Sequence, residues 1–275
     1  MKECRASWLQ LGIVIALVFF SAAFLLYTLA FYGYLNPEGR ACVFLFDLLP
    51  VIAATFSVAA VLALLRNFRK GDPPRLIWRL ILVSLVLDLG AEFAWFVYEV
   101  LAGTEVPYPS LADALWLAAY LPFIAALALV ISGFRRLGLP MRKGYAAASL
   151  ALIIGILVAI TLLVTLPIFT DAEAFLLDKA INPAYVYLDF ALLALALVVA
   201  MTFSGGPHGG HWFLLSSAFM SFSVADIIFA YLSWQGLYSS GNHIDLLWLC
   251  GYLLMGIAAL NQREILLQEK VRFVA

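Results

Sequence analysis

The sequence predicts an all-α polytopic membrane protein, with eight transmembrane helices arranged as two parallel four-helix repeats. Three observations lead there. Hydrophobic residues make up 65% of the 275 and charged residues 12%, with a mean hydropathy of +1.02. Soluble domains run near about 45–50% apolar and about 25% charged, so a water-soluble globule could not hide this much apolar surface. Eight apolar stretches are close to the roughly 20 residues that cross a bilayer. Finally, short motifs recur in the same order in both halves of the chain. A soluble enzyme and a disordered chain are both excluded. A net charge of −1 gives no basic footprint for nucleic acid.

The elements follow in order, at about 8–33, 43–65, 76–101, 111–133, 145–168, 183–203, 211–234 and 244–262. The first is too long for the apolar core of a signal peptide, and no small-residue cleavage site follows it. The second runs into the basic segment Arg66-Asn-Phe-Arg69-Lys70-Gly-Asp-Pro-Pro-Arg75. The third carries Asp88, Glu92, Trp95 and Glu99 at spacings of 4, 3 and 4, which is one helix face. The fourth opens on Ser110-Leu-Ala-Asp113, which reads as a capping box. The fifth follows the basic connection of Arg135, Arg136, Arg142 and Lys143. The sixth starts at Pro183, a good first helical residue, which puts Asp189 roughly 9 Å along the span. The seventh follows Ser204-Gly-Gly-Pro-His208-Gly-Gly-His211, whose histidines are expected in solvent or at the interface. The eighth opens on Asn242-His-Ile-Asp245, a second capping box, and continues as a helical tail over 263–275.

Charge sets the direction of insertion. Fourteen of the 16 Lys and Arg fall on the side of the termini, leaving Arg40 and Lys179 on the other. The positive-inside rule then puts both termini in the cytoplasm of a multi-pass cell-membrane protein. An even number of spans is needed for that parity, so count and charge support each other. The three cysteines, Cys4, Cys42 and Cys250, lie in different segments and give neither a disulfide framework nor a thiolate metal site.

The repeat rests chiefly on Asp113-Ala-Leu-Trp116-Leu-Ala-Ala-Tyr120 and Asp245-Leu-Leu-Trp248-Leu-Cys-Gly-Tyr252, both D-x-x-W-L-x-x-Y. Glu92 pairs with Asp226, and Asp47 with Asp189, in the same order. Residues 1–137 form the first four-span repeat and 138–262 the second. Each inserts in the same direction, which gives a twofold along the membrane normal.

The duplicated acids are the candidate site. An ionisable group in a span costs several kcal/mol and normally faces a bundle interior or a wet cavity. Glu92, Asp189 and Asp226 are the first-choice ligand-binding residues, with Asp47, Asp88, Glu99 and Trp95 beside them. Asp113 and Asp245 read first as helix caps. No Lys or Arg lies deep in any span. That leaves protons, a bound cation, a cationic ligand, or hydroxyl and indole donors as partners. The cofactor is therefore open, with a cation one candidate, and whether a metal is held is open too. Most aromatics toward the outer face fit an interfacial belt. The motifs of hydrolases, phosphate cradles and intramembrane zinc or retinal proteins are missing, and no nucleophile supports an enzyme.

Taken together, Glu92-Phe-Ala-Trp-Phe-Val-Tyr-Glu99, Pro107 through Tyr120, Tyr187-Leu-Asp189, Ala225 through Tyr231 and Asp245 through Tyr252 resemble a known family region. It is the multi-span membrane input region that precedes diguanylate cyclase and kinase modules in prokaryotic signalling proteins. The resemblance covers about 40 to 260. It implies a sensor, and this sequence departs from it in ending at Ala275 with no output domain. The expectation is a receptor-like module that binds a cation or small ligand in an outward-facing acidic cavity and signals through its last helix. The tail could meet a cytoplasmic signalling partner or a second copy of the chain. A cation- or proton-coupled transporter is the alternative.

Overall fold

The computed structural model describes residues 7–104, 106–136, 143–171, 176–203 and 209–274. Among them there is no strand. The helices are α1 (Trp8–Phe31), α2 (Arg40–Leu65), α3 (Pro73–Phe96), α4 (Leu111–Arg136), α5 (Lys143–Ile160), α6 (Leu166–Thr170), α7 (Leu176–Phe203), α8 (Gly210–Trp234) and α9 (Asp245–Val274). Two π-helical segments continue spans, Val97–Ala102 after α3 and Thr161–Thr165 between α5 and α6. Eight of the resulting helical stretches are long and apolar enough to cross a membrane. The protein is an all-α polytopic membrane protein, as the composition predicts.

Local sequence explains most boundaries. Ser7 caps α1 by accepting from Gln10 N at 3.2 Å, while Ser7 N donates to Gln10 Oε1 at 2.9 Å. Pro73 and Pro74 open α3, where a missing N–H costs nothing. Gly103 ends the π segment at φ +64, a conformation that a side chain would strain.

Two expectations change. Helix α7 begins at Leu176, so Pro183 lies inside it instead of at its start. Pro50 and Pro122 likewise lie within α2 and α4. Each removes one backbone donor, and neighbouring helices in a bundle tolerate the resulting bend. His211 is buried against the Trp212 ring, 4.7 Å between centroids, because α8 starts one residue before it. His208 and Cys4 lie outside the described residues, and Cys42 and Cys250 are free thiols.

Six helices close a ring. Contacts run α2 to α3, α3 to α4, α4 to α7, α7 to α8, α8 to α9, and α9 back to α2. Helix α1 packs outside the ring on α9, and α5 and α6 pack outside it on α7. Leu11, Val14, Leu17 and Val18 of α1 stay exposed and meet lipid. Within the ring, small residues and serines bring backbones together, as bundles in lipid require. Ser84 Oγ donates to Ala119 O at 2.7 Å between α3 and α4, and Ser221 Oγ to Leu247 O at 2.7 Å between α8 and α9. Ser57 Oγ donates to Tyr252 O between α2 and α9. Phe56 lies where a side chain on Gly256 would stand. The main core runs through this ring, from Phe46 and Trp78 to Phe219 and Met255.

Candidate functional site: an acidic and aromatic cavity

The ring encloses a cavity of about 730 Å³. It lies toward the end formed by Val106–Ser110 and by the segment between α8 and α9. The basic segment between α2 and α3 is at the other end. Nine carboxyl side chains line it: Asp47, Asp88, Glu92, Glu99, Asp113, Asp171, Asp189, Asp226 and Asp245. Among the described residues, no Lys, Arg or His does so. All seven candidates taken from the sequence, Glu92, Asp189, Asp226, Asp47, Asp88, Glu99 and Trp95, line this one cavity.

Each helix delivers its acid for a local reason. The 4, 3, 4 spacing carries Asp88, Glu92, Trp95 and Glu99 inward, the last of them from the π segment that continues α3. Pro50 deprives the Phe46 carbonyl of its helical partner beside Asp47. Asp47, Asp88 and Asp189 are 6%, 7% and 1% exposed, so their charges have little access to water.

Neutral donors take the place of cations. Tyr120 OH donates to Asp189 Oδ1 at 2.7 Å and reaches Asp226 Oδ2 at 3.5 Å. Trp248 Nε1 donates to Asp226 Oδ1 at 2.7 Å. Tyr252 OH donates to Glu92 Oε1 at 2.9 Å, and the Trp116 side chain lies close to Glu92. Near the mouth, Ser240 Oγ donates to Glu99 Oε2 at 2.8 Å, and Trp234 Nε1 to Asp171 Oδ2 at 3.0 Å. Tyr238, between α8 and α9, donates to Asp245 Oδ1 at 3.2 Å. Burial first, and then the Asp245 charge, push its phenol well above the usual range, so it keeps its proton.

Asp113 and Asp245 do two jobs. Ser110 N donates to Asp113 Oδ2 at 2.7 Å and Asp113 N to Ser110 Oγ at 3.4 Å, the capping box expected of α4. Tyr185 OH also reaches Asp113 Oδ1, at 3.2 Å. At α9 the backbone donor to Asp245 Oδ2 is Gly241 N at 2.9 Å, not Asn242, whose side chain instead accepts from Ile244 N. Gly241 sits at φ +93 against Phe46, so a glycine is required there.

The tyrosines are the residues that the sequence reading misplaced. Tyr120 and Tyr252 are 6% and 2% exposed and face carboxyl groups, not a lipid interface. The signal was present in D-x-x-W-L-x-x-Y, where spacings of 3 and 4 put acid, indole and phenol on one helix face.

Two pairs of carboxyl groups meet directly. Asp189 lies within hydrogen-bonding reach of Asp226, and Asp47 of Glu99. Buried carboxylates without compensation are prohibitively costly, so the cavity carries protons, a cation, or both. Among the described residues, no three His, Cys, Asp or Glu side chains converge closely enough to hold a metal ion. The chain matches no family model, no curated protein and no solved structure.

Proposed function

We propose that the chain is a membrane-embedded, receptor-like sensor module that admits a cation or small ligand to this cavity and signals through α9. One observation carries the reading: nine carboxyl groups and no base, among the described residues, surround a volume of about 730 Å³. That volume suits a small molecule. The indole and phenol walls add the faces on which cations rest. Glu92, Asp189 and Asp226 are the first-choice binding residues. Asp47, Asp88 and Glu99 set the surrounding charge, and Trp95 forms part of the wall.

The positive-inside rule turns the mouth outward and places both termini in the cytoplasm. The parallel repeat of 1–137 and 138–262 is part of the same proposal. Supporting it, the contacts α2–α3–α4 have counterparts in α7–α8–α9, and α4–α7 in α9–α2. Tyr120 and Trp248 on Asp226 likewise have counterparts in Tyr252 and Trp116 on Glu92. The outer helices do not follow the relation, since α1 packs on α9 whereas α5 and α6 pack on α7.

A cation arriving between acids on different helices relieves their repulsion and favours one packing of the ring over another. Helix α9 reports it, because it carries Trp248 and Tyr252 in the wall and Lys270, whose Nζ donates to Asn67 O at 2.7 Å, beyond the far end. The test is thermal unfolding of the full chain in detergent with sodium, magnesium or alkylammonium salts. At least one class should raise the unfolding temperature, less so in Glu92→Gln and Asp226→Asn, with no cation flux in liposomes. The reading falls if no cation stabilises, or if both variants respond as the native chain does. A cation- or proton-coupled transporter is the second reading, favoured by the π segments that interrupt two spans and by Asp88, which lies close to Glu92 and Asp226. Proton-coupled flux that is lost in Asp88→Asn would select it.

A further inference from the structure

Two acceptor atoms in the cavity lack donors. Asp189 Oδ2 and Asp47 Oδ2 are buried and meet no hydrogen-bond donor. Their residues are 1% and 6% exposed, and both line the cavity. What lies beside each is a second carboxyl group, Asp226 for Asp189 and Glu99 for Asp47. A buried acceptor without a donor costs free energy on the order of 1–3 kcal/mol, more when charged, so each pair needs a donor: one proton shared between its two carboxyl groups, or an N–H group that a ligand brings.

The two pairs stand on different helices. One joins α7 to α8, and the other joins α2 to the π segment after α3. A metal ion does not fit, since no three ligating groups converge among the described residues. A quaternary ammonium fits the aromatic wall but has no N–H to give. A primary ammonium has three donors and a positive charge, so it completes a carboxyl pair and offsets its repulsion. Tyr120 and Trp248 already fix the other oxygens of the first pair, and Ser240 fixes Glu99. The open positions are therefore directional.

We propose that the ligand is a linear aliphatic diamine or polyamine, with one ammonium end between Asp189 and Asp226 and the other between Asp47 and Glu99. This rests on the cation-receptor reading above and narrows it to a chemical class.

The experiment measures the thermal unfolding of the full chain in detergent against four probes: putrescine, spermidine, butylamine and the bis-trimethylammonium analogue of putrescine. Putrescine or spermidine should stabilise at concentrations about tenfold or more below butylamine, and the bis-quaternary analogue should do little. Asp189→Asn and Glu99→Gln should each bring the putrescine response down to that of butylamine. Asp189→Asn should also unfold at a higher temperature without amine, because its amide sets an N–H donor, in place of a second acceptor, against Asp226. Glu99 is only partly buried, so Glu99→Gln decides the matter alone if Asp189→Asn fails to fold.

Equal responses to putrescine and butylamine overturn the two-ended ligand, and an equal response to the bis-quaternary analogue overturns the N–H argument. Stabilisation by sodium or magnesium alone also overturns the inference. In these three cases the cation-receptor reading stands. Full responses in both variants overturn the placement of the ammonium ends. A chain that no cation of any kind stabilises overturns the cation-receptor reading itself.

Discussion

Glu92 shows how a carboxyl group is kept in a membrane span without a base. Its Oε1 takes the Tyr252 hydroxyl at 2.9 Å, and Tyr252 is itself 2% exposed. Tyr252→Phe removes that donor and leaves the acceptor behind, which should cost about 1–3 kcal/mol in unfolding free energy. Tyr108→Phe is the comparison, since that hydroxyl meets Asn182 at a site 45% exposed and its loss should cost less. Equal costs would show that the Tyr252 hydroxyl does not hold a buried charge. The acids themselves were legible in the sequence, because an ionisable residue inside an apolar run is expensive and must be turned inward. Hydroxyl and indole groups were legible as a class of donor, but which tyrosine serves which acid was not, because only packing pairs side chains from different helices.

Among the elements, α9 depends most on close approach. A side chain on Gly256 would run into the Phe56 ring of α2, so Gly256→Ala should push the two helices apart at a cost of about 1–3 kcal/mol, read by unfolding in detergent. Gly155→Ala, on α5 with nothing within 4 Å, should cost nothing and gain up to about 1 kcal/mol in helix propensity. If the two variants behave alike, the α2–α9 seam is looser than described. Hydropathy found the spans to within a few residues over α1, α2, α4, α8 and the start of α9. It misjudged α7 because a proline was given its favoured place at a helix start, whereas inside a bundle neighbouring helices tolerate it mid-helix. The π segments left no mark on the pattern of apolar residues, yet one of them carries Glu99.

The whole molecule is a closed ring with its charge at one end and its tail at the other. Distance distributions between paramagnetic labels at Glu269→Cys and Lys70→Cys, with the natural cysteines replaced, test whether those ends communicate. Saturating putrescine should shift the distribution. An unchanged distribution alongside measured binding would remove the signalling half of the proposed function and leave the binding half. The two ends of the cavity network also lie far apart in the chain. Glu92 finds Tyr252 160 residues later, and Tyr120 finds Asp226 106 residues later. During synthesis the third span must therefore wait in the bilayer, its acid beside Trp116 but without the Tyr252 hydroxyl, until the final span arrives. Biogenesis of the early helices is hostage to the last one, and a chain stopped before α9 would expose that acid to whatever machinery inspects unfinished membrane proteins.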